Sequence, residues 1–174
     1  DARLTDILEE AHRAISWHKL LYLDENCQKW IVYLLALMSR IQTRAVLAFC
    51  RKFEVPERYT QILLREKIEV KRIVRILERR VHLRPSEIFW LLKGLSQEGL
   101  LFLMAICRNK AGKQAVSLYV TQLRHIKTCL HGEDLKKIGY PPGPLYQTLL
   151  NHLLEIKLDG GLHTREDEIN FLER

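Results

Sequence analysis

Between Lys136 and Leu150 the chain reads KKIGYPPGPLYQTLL, with two glycines and three prolines packed into the six residues from Gly139 to Pro144. Pro141 denies Tyr140 an easy helical conformation, and Gly139 is the residue with which a helix stops in a left-handed turn. The segment therefore predicts a helix ending near Ile138. Pro144 suits the first residue of a second helix, because the N–H it lacks has no partner there in any case. The expected motif is a helix-hairpin-helix-like turn over residues 138–145.

Outward from the hairpin, apolar residues recur at helical spacing throughout the chain. Leu4, Ile7, Leu8, Ala11 and Ile15 lead into Leu20 and Leu21, predicting a helix to about Asp24. Further helices are expected over Cys27–Arg40, Thr43–Phe53 and Glu57 to about Val81, with Pro56 as punctuation. In the last of these, Leu63, Val70, Ile73, Val74, Leu77 and Val81 fall on one stripe. Pro85 and Ser86 open a short helix to Leu95; Ser96–Cys107 and Gln114–Leu130 follow, with Lys110–Lys113 as their turn. No segment alternates with period two. The fold class expected is all-α: an irregular array of eight to ten helices, with a body subdomain over 1–83 and a tail subdomain over 84–174.

The 174 residues are 47% hydrophobic and 28% charged, an ordinary globular composition, but the net charge of +7 favours phosphate-bearing or otherwise acidic partners. The four cysteines (Cys27, Cys50, Cys107, Cys129) form no C-x-x-C pair and lie in helical patterns, which fits a reducing, cytoplasmic compartment. No apolar run reaches about 18 residues, so no membrane partner is expected. The chain opens without methionine in mid-helix pattern, as an excised fragment would.

Much of the charge is local. From Arg65 to Arg84 there are eight Lys or Arg against three Glu. At 100° per residue, Arg65, Arg72 and Arg79 align within about 40° opposite the apolar stripe, with Lys71 and Arg75 beside them. Such a ridge is either a solvated face with Glu–Lys or Glu–Arg pairs, Glu66 and Lys71 being neighbours, or a surface for a phosphate backbone. At the hairpin, Gly143 and Pro144 start a helix whose first free N–H groups belong to Leu145, Tyr146 and Gln147, and a helix start can hold a phosphate. Lys136 and Lys137 lie just before it. Tyr140 is read as packing on the loop rather than as a stacking platform.

Further on, LDGGLHTREDEINFLER places Gly160 and Gly161 at a helix end, Thr164 as a cap, and Glu166, Asp167 and Glu168 in the first turn of the next helix. Capping accounts for these acids without a metal, and the seven histidines show no zinc spacing.

From His131 to Glu173 the sequence resembles the C-terminal tail of bacterial class II tRNA nucleotidyltransferases, the group of CCA-adding and A-adding enzymes and bacterial poly(A) polymerases. The family pattern is G-x-D-L-x-x-x-G, one or two residues, P-G-P, an apolar helix, L-D-G and T-x-E-E. It is filled by Gly132, Asp134, Leu135, Gly139, Pro142, Gly143, Pro144, Leu149, Leu150, Asp159, Gly160, Thr164 and Glu168. Tyr140 and Pro141 vary the loop, and Gly161 replaces the usual acid after L-D-G. The run KWIVYLLALMSRIQTRAVLAFCRKFEVPERY is similar to the helical body of the same enzymes, especially the A-adding type with accessory domains.

The resemblance implies a region that grips tRNA, or another structured RNA, for the catalytic head of the same polypeptide. In the family that head uses Mg²⁺ and ATP, or CTP, through a D-x-D that this chain lacks. The family's E-D-x-x-R is missing too. No catalytic or metal residue is expected here, and the RNA-phosphate contacts would fall to Arg65, Lys71, Arg72, Arg75, Arg79, Lys136, Lys137, Gly143, Leu145 and Tyr146. The alternatives from other classes are a helical protein-interaction scaffold, whose 30–45 residue period is not seen, and a helix-hairpin-helix module for duplex DNA. A phosphohydrolase helical domain would need an adjacent His-Asp metal pair, which is absent.

Overall fold

The computed structural model describes residues 2–21, 27–80 and 82–173. Among them are ten α-helices: α1 (Ala2–Leu20), α2 (Lys29–Leu37), α3 (Thr43–Lys52), α4 (Glu57–Arg79), α5 (Pro85–Leu92), α6 (Gln97–Ile106), α7 (Lys110–Thr121), α8 (Gly132–Ile138), α9 (Leu145–Leu158) and α10 (Arg165–Leu172). One 3-10 turn, Leu123–His125, follows α7. The described residues hold no strand, so the fold is all-α as the periodicity predicts.

The helices gather into two compact units, Asp1–His82 with Leu91–Ser117, and Leu83–Trp90 with Leu118–Arg174. Helix α6 packs against α1, α2 and α4. That packing brings residues 91–117 into the first unit, although the sequence reading places them beyond its division at 83/84.

In the first unit, Ala11, Ala14 and Ile15 of α1 meet Val32 and Ala36 of α2 and Leu101 and Ala105 of α6. The alanines matter because side-chain size at a contact sets how closely two helix axes approach. The stripe of α4 is buried as its spacing predicts: Leu63, Val70, Ile73 and Leu77 are each no more than 2% exposed, while Val74 is half-buried at the flank. Val81 lies outside the described residues, as does Asp24.

Two charged residues of α4 depart from the sequence reading. Glu66 is buried, accepts a hydrogen bond from the Ser96 backbone N–H at 3.3 Å, and lies against Gly99, where any Cβ would collide with its carboxylate. Burial raises its carboxyl above the ordinary range, over the opposing pull of Ser96 and Arg65. It is not the surface partner of Lys71. Lys67, counted with the basic cluster, is also fully buried: its ammonium donates to the carbonyls of Met38 and Ser39, the latter at 3.1 Å, where α2 ends. Burial pushes it down to about 8, with Lys71 adding to the effect. A cation on the last carbonyls of a helix serves as its cap, so Lys67 cannot reach a ligand.

Helix α7 also starts earlier and ends earlier than expected. Lys110–Lys113 is its first turn rather than a loop, because the Asn109 side chain accepts from Gly112 N at 2.9 Å and caps it. The helix then stops at Thr121 instead of continuing to Leu130.

The second unit is built on Leu130, Leu153 and Leu162, with Ile138, Leu150, Ile156, Ile169, Phe171 and Leu172 packed around them. Leu135 of α8 is fully buried as well.

Candidate nucleic-acid interface

The first candidate surface is the outer face of α4. Arg65, Arg72, Arg75 and Arg79 are all exposed and Lys71 is half-exposed, as the 100° spacing requires. Their partners differ. Arg65 donates to the Gly94 carbonyl and lies 3.5 Å from Glu66, and Arg72 pairs with Glu69 at 2.9 Å. Lys71 faces the buried Lys67, which repels it. Arg75 and Arg79 make no ion pair among the described residues.

Ile68 stands 54% exposed inside this ridge, an apolar residue on which the methylene stems of neighbouring arginines can lie. The stripe also starts earlier than the sequence reading has it. Arg58, in the first turn of α4, precedes Arg65 by the same seven residues that separate Arg65, Arg72 and Arg79. At 1.5 Å per residue these four arginines follow one another every ~10.5 Å, with a drift of only ~20° per step. The seven-residue repeat was the signal that could have included Arg58.

The second candidate surface is the hairpin between α8 and α9. Gly139 takes the left-handed conformation (φ 105°) and lets the Tyr140 N–H bond back to Leu135 O at 3.1 Å, so α8 ends at Ile138 as predicted. Pro144 is the residue before α9 rather than its first helical residue, with φ −56° and ψ −24° already helical. Tyr140 packs: its hydroxyl donates to Leu172 O at 2.8 Å.

The predicted phosphate contacts at this turn fare unequally. Lys136 and Lys137 are exposed, and Leu145 is 47% exposed. The Tyr146 N–H is occupied by Gly143 O at 3.1 Å, and its hydroxyl donates to Tyr140 O at 2.8 Å, so Tyr146 chiefly closes the turn. Gly143 has no positive φ, and a Cβ there would meet nothing within 4 Å. An alanine at 143 would meet neither a left-handed φ nor a clash, so the turn itself does not require glycine there. The ridge lies in the first unit and the hairpin in the second.

Four residues that fill the tail pattern, Asp134, Asp159, Thr164 and Glu168, tie helix ends and loops of the second unit together. Asp159 accepts from Ser86 N at 2.9 Å and Ser86 Oγ at 2.8 Å, capping α5, with Arg84 at 3.5 Å. Asp134 accepts from His131 N at 2.9 Å, capping α8, and pairs with Arg165 at 2.6 Å. These contacts hold its carboxyl below the usual range, the His131 amide contributing most. Thr164 and Asp167 cap each other at the start of α10, as read from the sequence for Thr164.

Glu168 is different. It is fully buried and accepts from Cys129 N at 2.9 Å, from Leu130 N at 2.9 Å and from Lys157 Nζ at 2.8 Å. Burial pushes its carboxyl up, but Lys157 and the two amides outweigh it and hold it below the ordinary value. Among the described residues no group of three or more His, Cys, Asp or Glu is placed to hold a metal.

A helical array with this stripe, and a cap-bearing motif that builds a unit of its own, define the class as an all-α segment with exposed cations on two of its surfaces. No family model matches the chain. The chain is 38% identical over 172 residues to the A-adding tRNA nucleotidyltransferase of Geobacter sulfurreducens, a match covering 97% of this chain and 20% of that protein. The chain belongs to the tRNA nucleotidyltransferase family, and it spans about a fifth of the length of the curated relative it matches.

Solved structures agree in fold. The Thermotoga maritima CCA-adding enzyme complexed with tRNA superposes with a TM-score of 0.75 at 17% identity, covering 99% of this chain and 41% of that one. A CCA-adding enzyme with CTP gives 0.73 at 16% identity, covering 99% and 40%. A tRNA-processing enzyme with CTP gives 0.71 at 22% identity, covering 91% and 41%.

Proposed function

We propose that this chain is the tRNA-binding region of a cytoplasmic tRNA nucleotidyltransferase, which holds the RNA so that its 3′ end reaches a catalytic head elsewhere in the same polypeptide. The observation that carries the reading is the identity with an A-adding enzyme along 97% of the chain. The exposed Arg75 and Arg79 on α4, without acidic partners among the described residues, and the exposed Lys136 and Lys137 support it: such cations displace counterions from phosphates. The relation to an A-adding enzyme favours addition of A by the parent.

Mg²⁺ and ATP, with CTP as a further substrate, belong to the head in this proposal. The residues present do not fit them, since the chain has no D-x-D and its described residues offer no cluster of ligands. Phosphoryl-group transfer depends on metal ions that neutralise charge on the transferring group. A preparation of this chain, freed of the host's own enzyme, is therefore expected to add no nucleotide to tRNA. Incorporation of labelled ATP or CTP would show that the chain carries a catalytic centre of its own.

Binding is tested by titrating a tRNA transcript at several salt concentrations, where affinity is expected to fall steeply as salt rises. Lys136→Ala combined with Lys137→Ala reads the hairpin separately. Both side chains are exposed, so melting should be unchanged. Two lost phosphate contacts should weaken binding by roughly 1 kcal/mol or more. Unchanged affinity at every salt concentration would reduce the hairpin to a turn.

A further inference from the structure

We propose that Trp30, Tyr59 and Arg58 form a stacking platform for an unpaired base of the bound RNA, at the N-terminal end of the arginine stripe on α4. The proposal rests on the RNA-binding reading above and names a feature the RNA must have: a base splayed out of its helix.

Trp30 is the second residue of α2 and is 43% exposed. Its ring is nevertheless fixed. The indole N–H donates to Gln28 Oε1 at 3.3 Å, and the ring meets that of Tyr59 nearly at right angles (79°), with centroids 5.0 Å apart. Tyr59 in turn lies beneath the Arg58 guanidinium, 4.4 Å from the ring centroid, and its hydroxyl accepts from Arg58 Nη2 at 2.6 Å. Arg58 makes no ion pair among the described residues. An aromatic surface is thus left to water in a fixed orientation, beside a cation that no acid among the described residues neutralises. Little ordering remains to be done when a flat partner arrives.

The surroundings choose the partner. Arg58 is the first of the four arginines at seven-residue spacing and its guanidinium lies over the Tyr59 ring, so a polyanion lying along α4 is led by Arg58 to the aromatic pair. An apolar protein segment would make no use of that stripe. Duplex nucleic acid would use the stripe but keeps its base faces stacked on one another, whereas loops, bulges and ends present faces that aromatic rings and guanidinium planes accept. Stacking of this kind tolerates any base, because every base has a π-face.

The test uses the whole chain and an unmodified tRNA transcript. Trp30→Leu keeps apolar bulk against Tyr59 and a good helix former, yet removes the flat surface. Its affinity is expected to fall roughly five- to a hundredfold. A stacked base releases no counterion, so the plot of log affinity against log salt should run parallel to that of the unaltered chain. Trp30→Tyr should restore most of the binding. A fully paired RNA of similar length should bind with equal strength to both proteins. Should the leucine variant melt early, Trp30→Met makes the same comparison.

Equal tRNA affinity in Trp30→Leu and the unaltered chain would overturn the platform while leaving the RNA reading intact. So would a loss that flattens the salt slope, since that is the signature of a displaced phosphate contact, or an equal loss on the paired RNA. Absence of salt-dependent tRNA binding by the unaltered chain would overturn both.

Discussion

Replacing Glu168 with alanine is expected to cost about 3–5 kcal/mol of stability, the magnitude for removing one partner of a buried ion pair. The residue is 0% exposed, and three donors converge on it: the amides of Cys129 and Leu130 and the ammonium of Lys157. Alanine would leave both amides without an acceptor and strand Lys157 against Cys129 Sγ, which lies 3.0 Å from its Nζ. Urea unfolding followed by circular dichroism reads the total, and amide hydrogen exchange at Cys129 and Leu130 reads the local loss. Glu168→Gln should recover part of it, since one amide oxygen can still accept.

The same contacts set a pH dependence. Because Glu168 is held below its unfolded value, it stabilises the fold above the usual glutamate pKa of about 4.3, and this contribution is lost as pH falls through the lower folded value. The alanine variant should lack that part of the acid sensitivity. A midpoint shift corresponding to less than about 0.5 kcal/mol, with the two amides still protected, would contradict the role assigned to Glu168.

Why Glu168 was readable only as a first-turn acid is instructive. Caps act within one turn of chain, so Thr164 with Asp167, or Gly139 at the end of α8, leave a signature in consecutive residues. The donors to Glu168 lie 11, 38 and 39 residues away. No local pattern records such a partner. Asp159 shows the same limit: it was legible as part of L-D-G, but the amide it caps belongs to Ser86, 73 residues earlier.

Helix α4 divides in the same way. Its buried stripe and its arginine face follow from 100° per residue alone, and both appear as expected. By the same angle Glu66 falls inside the buried stripe, between Ile73 and Leu77, and Lys67 falls at its edge beside Val74, so it was their charge and not their position that concealed their burial. What the angle does not record is their partners: Ser96 N for Glu66, and the carbonyls of Met38 and Ser39 for Lys67. At the hairpin, sequence located the turn, but the backbone angle of Gly143 was not legible because two glycines and three prolines allow several turns. The structure gives the positive φ to Gly139 alone of the two.

Charge reversal on the ridge should have the largest effect on binding. Arg72, Arg75 and Arg79 are exposed on one face of α4, two of them without an acid partner among the described residues. If each neutralises one phosphate, the affinity they supply varies as salt concentration to the power of about −0.9 per contact, the duplex value. Three contacts at 0.1 M salt then contribute about 500-fold. Glutamate at all three positions removes this and adds repulsion, so tRNA binding should weaken by roughly 10³-fold at that salt, and the slope of log affinity against log salt should fall by roughly 2 to 3. Glutamate at 79 also places an acid in the last turn of α4, at a cost of roughly 0.3–1 kcal/mol, which the triple glutamine variant avoids. That variant should lose the same slope with less loss of affinity. A triple glutamate variant that melts normally and binds tRNA with the original affinity and slope would return the ridge to a solvated helix face, whose ion pairs contribute little.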